Sequence, residues 1–214
     1  IVKDSPLKGI FNQALYDDGY DGQIIEAFVG SSLFTVDGNF EITDKGAATL
    51  TVDVPNKKAF IKIKDNVKWN DGTPLTADDV IFAYEVVANK DYTGVRYNDE
   101  RKKIVGIEDY HEGKTSAISG IKKIDDKTVE ISFTELGQGI YTVGNGLLGY
   151  PLPKHYLSDV PIKDMVSSPK SRDKILTTGP YYITRTVQGE SLELKANEHY
   201  YEGKPKIDRI TVQV

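Results

Sequence analysis

Cysteine is absent from this chain of 214 residues. That excludes a disulfide scaffold and Cys-ligated zinc, and it fits an exported protein that avoids stray thiols. Histidine is scarce. His111, His155 and His199 stand far apart, and no H-x-x-x-H pair occurs. A shared metal site would have to be assembled by folding alone, so solvated or structural histidine is the favoured reading. No apolar run approaches the ~20 residues of a membrane span. Basic residues do not dominate: 27 Lys and Arg face 32 Asp and Glu, a net charge of -5. The basic footprint of a nucleic-acid binder is therefore missing. Tandem repeats and low-complexity tracts are missing too.

What is present reads as a globular protein. Hydrophobic residues make up 39% and charged residues 28%, enough for a real core. The length allows one large domain or two small ones. The most informative stretch runs from Val67 to Val87 and holds the single tryptophan, Trp69. Trp69 is expected as a core anchor. Asn70-Asp71-Gly72 is a strong turn signal, with positive φ expected at Gly72. Thr76 is placed to cap a helix, with Asp78 and Asp79 in its first turn, where the helix dipole favours negative charge. Ala77, Val80, Ile81, Tyr84, Val87 and Ala88 recur at helical spacing and predict one apolar face.

Three hairpins are predicted from period-2 alternation around turn residues. They cover residues 47–64, 120–133 and 181–196, and a last strand covers 207–214. Residues 17–22 read as loop, 24–33 as the start of a short helix, and 89–109 and 158–177 as polar connectors. His155-Tyr156-Leu157 reads as a short helical piece. Five glycines between residues 137 and 149 predict an irregular, backbone-exposing segment. Strands and helix without regular βαβ alternation make the fold class α+β.

The residues that could carry chemistry have bland readings beside the sharp ones. Asp78 and Asp79 could be an acid/base pair of glycosidase type. Adjacent helical residues point apart, however, and capping explains both. Ser31-Ser32 with a histidine and an aspartate could suggest a hydrolase triad, but no G-x-S-x-G elbow supports it. The glycine-rich segment could cradle phosphate, but it lacks the Lys-Ser ending of a Walker loop. Tyr92, Tyr97, Tyr141 and Tyr150 could line a cleft, since tyrosine has an apolar body and a polar tip. Ordinary core or surface packing is the commoner fate of any one tyrosine.

The stretch W-N-D-G-T-P-L-T-A-D-D-V-I-F-A-Y, residues 69–84, resembles the signature of the extracellular peptide-binding proteins of ABC importers. Two further segments are similar to that family: Gly179-Pro180-Tyr181, and Asn197 to Pro205 as N-x-x-Y-[WY]-x-G-x-P. Phe28 to Phe34 resembles the family's F-x-G-L-L segment. Val29 stands where many relatives carry an acid, and Ser31 and Ser32 stand where they carry leucines.

The resemblance covers residues 24–214. It implies a periplasmic-binding-protein-like fold of the peptide-binding type, a mixed-sheet lobe with an inserted smaller β-rich lobe. The first lobe is expected at 1–42 and 172–214, and the second at 43–171. Family members are typically more than twice this length, so the chain reads as an N-terminal portion, and the family's third lobe would follow Val214. The implied function is capture of an oligopeptide for delivery to a membrane permease and its ATPases, outside the cell, as a surface lipoprotein or in the periplasm. The implied ligand-binding residues are Val29, Gly30, Ser31, Ser32, Tyr97 and Asn145, with Tyr97 the leading candidate. Neither catalytic residue, cofactor nor metal is expected. Self-association through uncovered apolar surface is expected. Within the family, the alternatives are a receptor for a dipeptide, a signalling peptide or a nickel chelate. Outside it, the alternative is a hydrolase using the cleft.

Overall fold

The structure is a computed structural model that describes residues 6–137, 140 and 146–213. The turn after Trp69 is built as its residues demand. Gly72 has φ of 89°, in the left-handed region. Its N–H donates to the Trp69 carbonyl at 2.9 Å, and the Trp69 N–H donates to Thr73 at 2.8 Å. The Asp71 carboxylate accepts from the Thr73 N–H at 2.9 Å. Trp69 is fully buried, as expected of an anchor. Burying a ring of this size contributes about 4–6 kcal/mol by area.

The helix after the turn, α2 (Ala77–Ala88), starts where the cap predicts. Thr76 and Asp79 form a reciprocal capping box. The Asp79 carboxylate is its centre. It accepts from the Thr76 N–H at 3.0 Å and, through its other oxygen, from the Lys154 N–H at 2.9 Å. The expected single apolar face is too narrow. Phe82, Ala83 and Val86 are also buried, leaving only Asp78, Ile81 and Glu85 partly open. The reason is tertiary: this helix has neighbours on more than one side.

The chain divides into two compact units. Unit 1 comprises Ile1–Ser31, Asn66–Pro74 and His155–Val214. It contains α1 (Gly19–Ile24), which continues as a π-helical turn over Ile25–Val29. The predicted loop at residues 17–22 is thus the helix start, because Asp18 accepts from the N–H groups of Tyr20 and Asp21. Three antiparallel strands follow near the end of the chain: β7 (Tyr181–Val187), β8 (Ser191–Ala196) and β9 (Arg209–Gln213). Their order is β7-β8-β9, with a register shift between Ile183 and Arg185. Phe11, Ile24, Ile25, Val29, Ile183, Leu192, Leu194 and Val212 belong to one buried cluster.

Unit 2 comprises Ser32–Asp65 and Leu75–Lys154. A two-residue ladder, β1 (Thr35–Val36) with β2 (Ile42–Thr43), was not predicted; it is closed by a turn on Asp37. The main sheet holds β3 (Ala48–Asp53), β4 (Lys58–Ile63), β5 (Ile121–Asp125) and β6 (Thr128–Ser132) in the order β3-β4-β6-β5. Both predicted hairpins are present, and β4 pairs with β6 to join them. Ala59, Ile61, Ile63, Val129 and Ile131 form its buried face. The polar connector at 89–109 contains two short helices, α3 (Asp99–Lys102) and α4 (Ile107–His111). A further short helix, α5 (Lys154–Leu157), begins at the last residue of unit 2 and continues into unit 1, as the sequence predicts for His155-Tyr156-Leu157.

Two stability predictions follow from the turn and cap. Gly72→Val places a β-branched residue at positive φ and is expected to cost about 1–3 kcal/mol in urea unfolding. Gly38→Ala, where an added Cβ meets nothing within 4 Å, should stay within about 0.5 kcal/mol. Thr76→Ala should cost about 1 kcal/mol. Asp79→Ala should cost about 3 kcal/mol, since two backbone N–H groups lose their acceptor. Equal losses for these two variants would show that the carboxylate is not the centre of the cap.

Candidate functional site

The segment Val29–Ser32 carries four of the expected ligand-binding residues, and packing uses three of them. Val29 is buried, and its carbonyl accepts from the Thr177 hydroxyl at 2.6 Å. Gly30 ends the π-helical turn, donating to the Ile25 carbonyl at 2.7 Å. A Cβ on Gly179 would lie 2.6 Å from the Gly30 oxygen, so the two backbones touch and residue 179 must be glycine. Ser31 is only 3% exposed. Its N–H donates to Gln13 Oε1 at 2.6 Å, and its Oγ accepts from the Thr178 N–H at 2.9 Å. The Ser31 hydroxyl is therefore spent inside the protein, contrary to the expectation that it faces a ligand. Ser32 differs. It is exposed and makes no hydrogen bond to the described residues, so its main-chain groups are open.

Thr177 is the partner that the sequence reading missed. Its hydroxyl also accepts from the Gly179 N–H at 2.8 Å. Its own N–H and carbonyl pair with Asn70, at 2.8 Å to the side chain and 2.9 Å from the N–H. Asn70 belongs to the W-N-D-G signature, so the signature is tied directly to the Val29–Ser31 segment through Thr177.

Tyr97 lies in unit 2 and is half-buried. Its ring stacks on His111, with centroids 4.2 Å apart and planes at 24°. Burial pushes the Tyr97 phenol up, and the Glu108 carboxylate adds to the shift, so the hydroxyl remains a donor at neutral pH. The other tyrosines follow the bland reading. Tyr84 is buried, and its hydroxyl accepts from the Leu148 N–H at 2.8 Å. Tyr150 is buried, without a hydrogen-bond partner among the described residues. Tyr92 accepts from the Arg96 N–H at 3.3 Å. Asn145 and Tyr141 lie outside the described residues.

The paired acids and two of the three histidines are also accounted for by structure, while residues 138, 139 and 141–145 of the glycine-rich segment lie outside the described residues. Asp78 pairs with Lys123 at 2.6 Å on the surface while Asp79 holds the helix cap, so the two acids share no site. His155 pairs with Asp71 at 3.0 Å, and His111 contacts the Ala88 carbonyl at 3.0 Å. No group of three His, Cys, Asp or Glu among the described residues is placed to hold a metal.

This arrangement has known relatives. The family described as bacterial extracellular solute-binding proteins, family 5, matches residues 42–214. The chain belongs to this family. The oligopeptide-binding protein OppA of Lactococcus lactis subsp. cremoris is 38% identical over 99% of this chain, which spans 36% of that protein. AppA of Bacillus subtilis, also an oligopeptide-binding protein, is 35% identical over 72% of this chain, which spans 25% of it. Among solved structures, lactococcal OppA with an endogenous peptide, in its closed conformation, superimposes with a TM-score of 0.94. The match covers 100% of this chain and 41% of that one. AppA of Bacillus subtilis with a nonapeptide gives 0.81 at 29% identity, covering 100% of this chain and 39% of that one. The α+β, peptide-binding type of fold expected for a family 5 protein is thereby shown.

Ser31→Ala removes a buried acceptor and is expected to cost about 1–3 kcal/mol in thermal or urea unfolding. Ser32→Ala, at an exposed position, should change stability by less than about 0.5 kcal/mol. A reversed order would place Ser31 at the surface.

Proposed function

We propose that this chain forms part of the substrate-binding component of an ABC importer, which captures oligopeptides outside the cytoplasm and delivers them to a membrane permease. The observation that carries this reading is the 38% identity over 99% of the chain to lactococcal OppA, together with the superposition on its peptide complex. Unit 1 corresponds on this reading to the family's first lobe and unit 2 to its inserted, smaller lobe. Ser32 supports a main-chain mode of capture, because its open N–H and carbonyl suit an extended peptide strand. Tyr97 supplies an amphipathic contact, with ring and hydroxyl both usable. Wet side-chain pockets around such a backbone clamp tolerate many sequences.

The chain spans about a third of its relatives' length, and a clamp gains affinity by enclosing ligand on all sides. These 214 residues are therefore expected to bind peptides more weakly than micromolar and to self-associate through apolar surface. The test is incubation with a mixed oligopeptide pool, followed by mass spectrometry and calorimetric titration. Intact peptides retained weakly support the reading. New fragments would establish the hydrolase alternative. Micromolar or tighter binding by this chain would show that the main contacts lie elsewhere than proposed.

A further inference from the structure

Unit 2 carries an open cavity of about 400 Å³ lined by Tyr97, Lys102, Glu108, His111 and Glu112. That volume lies within the roughly 300–1,000 Å³ of small-molecule sites. One wall is the Tyr97–His111 stack. His111 Nδ1 sits 3.0 Å from the Ala88 carbonyl oxygen, which can only accept. Nδ1 therefore carries the proton of the neutral ring, and Nε2 is left as an acceptor.

The charges around this cavity are unevenly spent. Lys102 is tied to Asp99 at 2.9 Å, and Glu112 is paired with Lys114. Glu108 makes no ion pair among the described residues. Lys102 Nζ already lies 5.9 Å from the centroid of the Tyr97 ring, which shows that a cation can approach the ring. The cavity thus offers an aromatic surface, an imidazole lone pair and an uncommitted carboxylate. All three attract a donor-rich cation, and the one cation in the wall has its own counter-ion. A guanidinium suits this set best, because it is planar, carries five N–H donors and stacks on aromatic rings.

We propose that this cavity is a subsite for a basic side chain of the captured peptide, arginine in preference to lysine. The proposal rests on the peptide-binding reading above, and the test separates the two. The chain is titrated to millimolar concentration with the hexapeptide Ala-Ala-Arg-Ala-Ala-Ala and with its Gln counterpart. Binding is followed by NMR on the tyrosine and histidine ring signals. The arginine peptide is expected to bind about five-fold more tightly, the sum of one exposed ion pair and one cation–π contact. It should also shift the Tyr97 and His111 signals. Glu108→Gln should cut the difference to about two-fold, because the cation–π contact to Tyr97 remains. Equal binding of both peptides with Tyr97 and His111 unmoved would overturn the subsite and leave the peptide-binding reading standing. Binding of neither peptide would overturn both.

Discussion

Thr177 is the point on which unit 1 depends. Its backbone pairs with Asn70, its hydroxyl donates to Val29 and accepts from Gly179, and Ser31 lies against the same atoms. Three segments, distant in sequence, meet at one fully buried threonine. The physical requirement is that buried backbone groups find partners. Residues 29–31 and 177–179 have no regular ladder to supply them, so side-chain hydroxyls and amides do it. Asn197 extends the same arrangement, donating from its side chain to the Gly179 carbonyl at 2.8 Å. Removing any one member would strand a donor or acceptor in a site that water does not reach.

This dependence explains why the family signature is long. Trp69 anchors, Gly72 permits the turn, Asn70 holds Thr177, and Asp79 caps α2 and receives Lys154. Each residue type does a separate physical task, and the tasks fall in neighbouring positions. A second segment that resembles the family pattern, Gly179-Pro180-Tyr181, has the same character. Gly179 is required by contact with Gly30, and Tyr181 packs its ring edge-on against Phe28 with centroids 5.9 Å apart.

Local features were legible in the sequence to the extent that they are local. The hairpins, the cap at Thr76 and the positive φ at Gly72 depend on residues within a few positions of one another. The missed elements are of another kind. The helix start at Asp18 was hidden by glycines and acids that also suit a loop. The α3 and α4 helices are four and five residues long, too short for a 3.6-residue period to emerge. The Tyr97–His111 stack spans 14 positions across α3 and α4, and nothing in either residue's neighbourhood announces the other. The family segment points to Ser31 as a ligand contact, but the side chain is buried. Its burial depends on Gln13 and Thr178, which no short-range pattern connects to it.

A binding wall must be stiff where it is built and open where it touches ligand. Residues 29–32 set a committed stretch beside an exposed residue. Val29, Gly30 and Ser31 are committed to unit 1 by hydrogen bonds of 2.6–2.9 Å, while the next residue, Ser32, makes none to the described residues. A ligand strand meeting Ser32 would gain main-chain hydrogen bonds from a backbone whose preceding residues are already fixed, so little further entropy is lost on binding. Substituting Ser31 by leucine, as many relatives of the family pattern would have it, cannot reproduce this arrangement unchanged, because the Thr178 N–H would then need a different acceptor. The serine at 31 and the threonines at 177 and 178 are therefore one structural solution, in which each supplies a hydrogen-bond partner that the others need.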